Sequence, residues 1–124
     1  MATFRQGDVV KVPFPYTDRA TRQHRPALVV SSGDIEAAHG LLWVLMITSA
    51  ENRGWPGDVR VNNLAVAGLP VPSVIRTAKI ATIEAGEAIK LGKVSASALK
   101  QVVARVGREL GVAPAVAAGR GGAG

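Results

Sequence analysis

An arginine–proline step, His24-Arg25-Pro26, cuts the first part of this chain into strand-length pieces and limits what it can fold into. Upstream, residues 7–14 alternate well enough for a strand, and Pro13 and Pro15 stop it. Residues 15–25 are polar and read as a loop carrying Tyr16, Thr17, Asp18, Arg19, Arg22, His24 and Arg25. Downstream, residues 27–31 form a continuous apolar run, the pattern of a buried strand. A third and more apolar run, residues 41–48, ends at Thr48-Ser49. Arg25 is therefore expected where a loop meets a buried strand, and Thr48 at the far end of the next strand. A cation and a hydroxyl at strand ends beside a loop can grip a phosphate.

The rest of the chain keeps to short elements. Residues 33–39 allow one helical turn ended by Gly40. A loop over 49–57 carries Glu51, Asn52, Arg53 and Trp55, and a short strand follows at 58–61. Asn62-Asn63 reads as a turn, residues 69–72 are kinked by two prolines, and a strand resumes over 73–80. Leu91-Gly92-Lys93 reads as a turn before the one long helix, residues 95–110. There Leu99, Val102, Val103, Val106 and Leu110 share a face. Ser95 or Ser97 suits its start, and Gly111 with Pro114 its stop. The expected organisation is one domain over 1–111 and an Ala/Gly-rich tail, 112–124, expected to be disordered. Five or six short strands with Gly/Pro turns and a terminal helix predict a small, strongly bent antiparallel barrel.

Composition narrows the function. The absence of cysteine removes disulfides, thiolate catalysis and Cys-based zinc sites. No apolar run approaches the ~20 residues of a membrane span, and no signal peptide is evident, so a cytoplasmic protein is expected. The net charge of +6, from 15 Lys+Arg against 9 Asp+Glu, suits a nucleic acid or an acidic protein partner. It equally suits a small domain that is merely soluble.

The segments GDVVKVPFPYTD (7–18), RPALVVSS (25–32), ITSA (47–50), GLPVPSVIRTAKIATIE (68–84) and LGKVS (91–95) resemble the MazF/PemK toxins. The resemblance runs over roughly residues 5–110. It implies an SH3-like barrel with a C-terminal α-helix, usually dimeric. It also implies an endoribonuclease of a type II toxin–antitoxin system that cuts single-stranded RNA with no cofactor or metal. In that chemistry the 2′-hydroxyl attacks the adjacent phosphate, which needs a base, an acid and a cation on the developing charge. The implied partner is an acidic antitoxin.

By that resemblance Arg25 and Thr48 are the leading site residues, with Arg76 next and Ser49 as a weaker second hydroxyl. Relatives commonly carry an aspartate two residues after the arginine at position 76, and this chain has Ala78. The base is thereby left open among His24, Asp18 and another group; His24 alone has an ordinary pKa near neutral. Tyr16, Thr17, Asp18, Arg53 and Trp55 belong to loops that flank the site in the family, and an aromatic there can stack an unpaired base. Two rivals remain: a member that binds RNA or antitoxin without cutting, and a gyrase poison like the CcdB toxins. Against the latter, the helix ends Arg108-Glu109-Leu110-Gly111 with no aromatic.

Overall fold

The sheet that organises this molecule is long in the middle and short at its edges. In the computed structural model, which describes residues 3–14 and 23–112, the strands are β1 (Asp8–Phe14), β2 (Gln23–Val29), β3 (Leu41–Ser49), β4 (Val59–Arg60), β5 (Ser73–Glu84) and β6 (Ile89–Lys93). They form one antiparallel sheet in the order β4-β5-β3-β2-β1-β6, curled into a half-barrel, with α1 (Gly33–His39), α2 (Leu64–Ala67) and α3 (Ala96–Glu109) placed around it. Tyr16, Thr17, Asp18 and residues 113–124 lie outside the described residues.

The continuous apolar runs are explained by burial on both faces of the central strands. Val9, Leu28, Leu45, Ile47 and Ile75 join one cluster with Val102 of α3. Their chain neighbours Val10, Ala27, Val29, Val44 and Met46 join another with Phe4 and Ile83. Because successive side chains of a strand point to opposite faces, two clusters require apolar residues at every position.

Four local expectations are corrected. Polar residues 23–25 belong to strand β2 rather than the loop, because β1 pairs with them: Val12↔Arg25, Pro13↔His24, Phe14↔Gln23. Asn63 does not simply turn the chain; its side chain accepts the Val66 N–H and caps α2. Residues 91–93 are the end of edge strand β6, paired with β1. Gly92 sits there because α2 passes so close that a Cβ would collide with the Val66 carbonyl. On α3 the buried side is Ala98 and Val102, whereas Val103 and Leu110 are exposed. With Trp43 and Ile80 those two line an apolar groove of about 470 Å³. Ser95 caps α3 as expected, accepting the Ala98 N–H at 3.1 Å.

The N-terminal strap is tied to α1 by one carboxylate. Glu36 accepts the N–H groups of Thr3 and Phe4, each at 2.9 Å. Burial pushes its carboxyl up, but these hydrogen bonds outweigh that and hold it below the usual carboxylate range.

Candidate functional site

The site forms where the β2–β3 ladder runs out. Its last described pair is Ala27↔Met46, with Leu28↔Leu45 and Val29↔Val44 before it. Continued by two residues, the same register sets Arg25 opposite Thr48, on the face of Ala27, Val29, Val44 and Met46. Arg25, Pro26, Ile47 and Thr48 lie past the last pair, and all four line a cavity of about 450 Å³. A notch between two diverging strands thus brings a guanidinium and a hydroxyl from separate runs to one opening.

The rest of the wall explains what such an opening could hold. Leu69, Pro70, Val71 and Leu91 supply an apolar side, while Lys11, Ser49 and Ser73 add polar groups. No carboxylate or imidazole is among the described residues that line it, so the two side-chain charges there are Lys11 and Arg25. An apolar wall beside two cations and several hydroxyls suits a nucleotide: phosphate on one side, base on the other.

The three hydroxyls differ in what they have left to offer. Ser73 Oγ donates to the Val71 carbonyl at 2.8 Å, which uses its proton. Ser49 Oγ accepts the Glu51 N–H at 3.2 Å, and Thr48 Oγ1 accepts from Asn52 Nδ2 at 2.7 Å. Thr48 is otherwise buried, and Ser49 is half-buried. A hydroxyl carries one proton and two acceptor lone pairs, so Thr48 and Ser49 keep their protons to donate.

Arg76 stands apart from this cavity and does not line it. Between the pairs Leu45↔Ile80 and Ile47↔Ile75, β3 has one residue and β5 has four, 76–79. That irregularity bends β5 and buries two consecutive side chains, Arg76 and Thr77. The Arg76 guanidinium donates to both Asp58 oxygens, at 3.3 and 3.2 Å, and to the Arg53 carbonyl at 2.7 Å. It also lies over the Trp55 ring, 4.3 Å from its centroid. Thr77 Oγ1 donates to the Gly57 carbonyl at 2.9 Å, and Gly57 has a φ of 90°, a conformation side chains resist. Arg53 and Trp55 are exposed members of the loop so held.

The expected base is not in the described part of the cavity. His24 is exposed beside Arg25 on β2 and does not line the opening. Ala78 is exposed in the β5 bend. Asp18 lies outside the described residues. Reading the sequence alone passed over Lys11 and Ser73, which in a strand look like ordinary alternating polar positions, and over Asn52 and Asp58, which look like loop polarity. For Asn52 the only advance signal was its place four residues after Thr48.

The curled half-barrel with its C-terminal helix is a MazF-like fold, and solved structures show the likeness. MazF from Deinococcus radiodurans superposes with a TM-score of 0.71 at 24% identity, over 87% of this chain and 96% of that one. An endoribonuclease in complex with its cognate antitoxin from Mycobacterial species gives 0.70 at 17% identity, over 92% and 99%. Mycobacterium tuberculosis toxin MazF-mt6 gives 0.68 at 21%, over 86% and 99%. No curated protein sequence matches the chain significantly. The family described as PemK-like, MazF-like toxin of type II toxin-antitoxin system matches residues 5–110, and the chain belongs to it.

Proposed function

We propose that this chain is a metal-independent endoribonuclease that cuts single-stranded RNA, the toxin of a type II toxin–antitoxin pair. The observation that carries the reading is the notch, where Arg25 and Thr48 reach one cavity from two strands beside Lys11. Arg25 stabilises the charge that develops on the phosphate during attack by the 2′-hydroxyl, and its planar fork suits two phosphate oxygens. Thr48 donates to a phosphate oxygen or holds the 2′-hydroxyl, with Ser49 beside it. Lys11 adds a second cation for the RNA backbone, so binding weakens as salt rises. Arg76 acts through the loop it holds, in which Arg53 and Trp55 face incoming RNA. Asp18 stays a candidate base, and its chain neighbours Tyr16 and Thr17 contact the RNA.

The protein works in the cytoplasm as a homodimer, and its regulator is an acidic antitoxin that covers the basic cavity. Complexes of MazE with MazF from Deinococcus radiodurans, and the mycobacterial complex, support such a partner. The test is cleavage of a long unstructured RNA in excess EDTA, with product ends read by mass. Products ending in 2′,3′-cyclic phosphate, lost in Arg25→Ala, are expected. Folded, antitoxin-free protein that cuts nothing would instead support a second reading, a member that holds RNA without cleaving it. Ala78 and the lack of a titratable base among the described lining residues favour that alternative.

A further inference from the structure

The polarity of the Thr48 hydroxyl is set from outside the cavity. Its oxygen accepts the Asn52 side-chain amide at 2.7 Å. With one lone pair occupied by a donor, the Thr48 proton is directed elsewhere. The Asn52 position is itself defined at three points. Its N–H donates to the Ser49 carbonyl at 3.1 Å, closing a tight turn straight after β3. Inside that turn the Glu51 N–H reaches Ser49 Oγ at 3.2 Å. The next residue, Arg53, gives its carbonyl to the buried Arg76 guanidinium at 2.7 Å.

From this arrangement we infer that Asn52 is a positioning residue, which makes the Thr48 hydroxyl a dedicated donor to the RNA phosphate. A phosphate oxygen only accepts, so a hydroxyl facing it is useful with its proton forward and its lone pair already engaged. An amide at position 52 supplies that engagement without adding charge. A carboxylate there would take the Thr48 proton and repel the phosphate. The turn is thus a polarity device, and the Arg76–Asp58 pair holds its far end. The inference rests on the ribonuclease reading and refines the role of one of its residues.

The test is a double-mutant cycle on cleavage of a single-stranded RNA oligonucleotide that spans a mapped cut site. Thr48→Val keeps shape and removes the hydroxyl; Asn52→Ala removes the amide, and Asn52→Asp reverses its polarity. Asn52→Ala should lower kcat/KM about tenfold when Thr48 is present, the size of one hydrogen bond. In the Thr48→Val background it should cost almost nothing further. Asn52→Asp should be worse than Asn52→Ala, and the thermal midpoints of both should stay close to that of the parent because the residue is exposed. Equal losses in both backgrounds, or no loss in either, would overturn the inference while leaving the site intact. If Thr48→Val and Arg25→Ala both cut RNA at the parent rate, the ribonuclease site itself is misplaced and the inference falls with it.

Discussion

Arg25 and Arg76 look alike in the sequence, each on an apolar strand beside a loop, yet the fold uses them in opposite ways. Arg25 lies past the last β2–β3 pair, half-exposed, on the wall of an opening that no described acid lines. Arg76 lies in a bend of β5 with its side chain only 9% exposed, bound at both Asp58 oxygens and capped by Trp55. A guanidinium whose donors are taken up by a half-buried carboxylate and a carbonyl has little left for a ligand. Arg25 instead borders an opening into which an anion can enter. The difference lies in which partner each strand end meets, and that depends on residues 18 positions away in the case of Arg76.

The sharpest way to break this comparison is to exchange the expected losses. Arg25→Ala should lower RNA cleavage on the order of 10²–10³-fold, as for removal of a preorganised donor to a developing anion. Its urea midpoint should change by no more than about 0.5 kcal/mol equivalent, as for other surface positions. Asp58→Ala should do the reverse in kind, costing about 3 kcal/mol of stability, because it strands a buried guanidinium. Arg76→Ala should cost less, about 2 kcal/mol, since Asp58 keeps the Trp55 N–H at 3.0 Å. Should Arg76→Ala abolish cleavage in a protein of unchanged midpoint, the two arginines would belong to one site.

Acid stability sharpens the contrast from a third place. The folded Glu36 carboxyl sits below its unfolded value, so its contribution is complete above the ordinary glutamate range and disappears as pH falls through the depressed folded value. Urea midpoints of the parent and of Glu36→Gln, taken from neutral pH to about pH 3, should therefore differ most at neutral pH and converge in acid. A constant gap would mean that the strap at Thr3 and Phe4 is not held by that charge. The smallest effect expected is Trp55→Ala, at about 1 kcal/mol from the stacked guanidinium. Denaturation read alongside cleavage would show whether the exposed ring serves the clamp or the RNA.

How far the sequence was readable follows the same division. Strand β1 was legible from its alternation, and the cores of β2 and β3 because burial on both faces forces apolar residues at successive positions. Helix α3 was legible from its period and its Ser95 cap, although which flank is covered was not. Val103 and Leu110 belong to the apolar stripe and yet stay exposed. Edge strand β6 was misread because three of its five residues, Lys90, Gly92 and Lys93, carry no strand signal. Its glycine answers a distant α2, and its pairing to β1 supplies the rest. Helix α2 has four residues, too few for a period to show.

Of the candidate site, the ends of apolar runs marked the places of Arg25 and Thr48, since a strand end is visible as a change of composition, and the family resemblance singled them out and added Ser49. It could not show that Arg76 stands apart from the opening, separate His24 from it, or bring in Lys11, Ser73 and Asn52. Those depend on register, on the β5 bend and on hydrogen bonds between loops. Each is set by contacts between segments far apart in the chain. Local sequence decides which residues are buried and where strands end; only the packed sheet decides which ends meet and what each charge finds there.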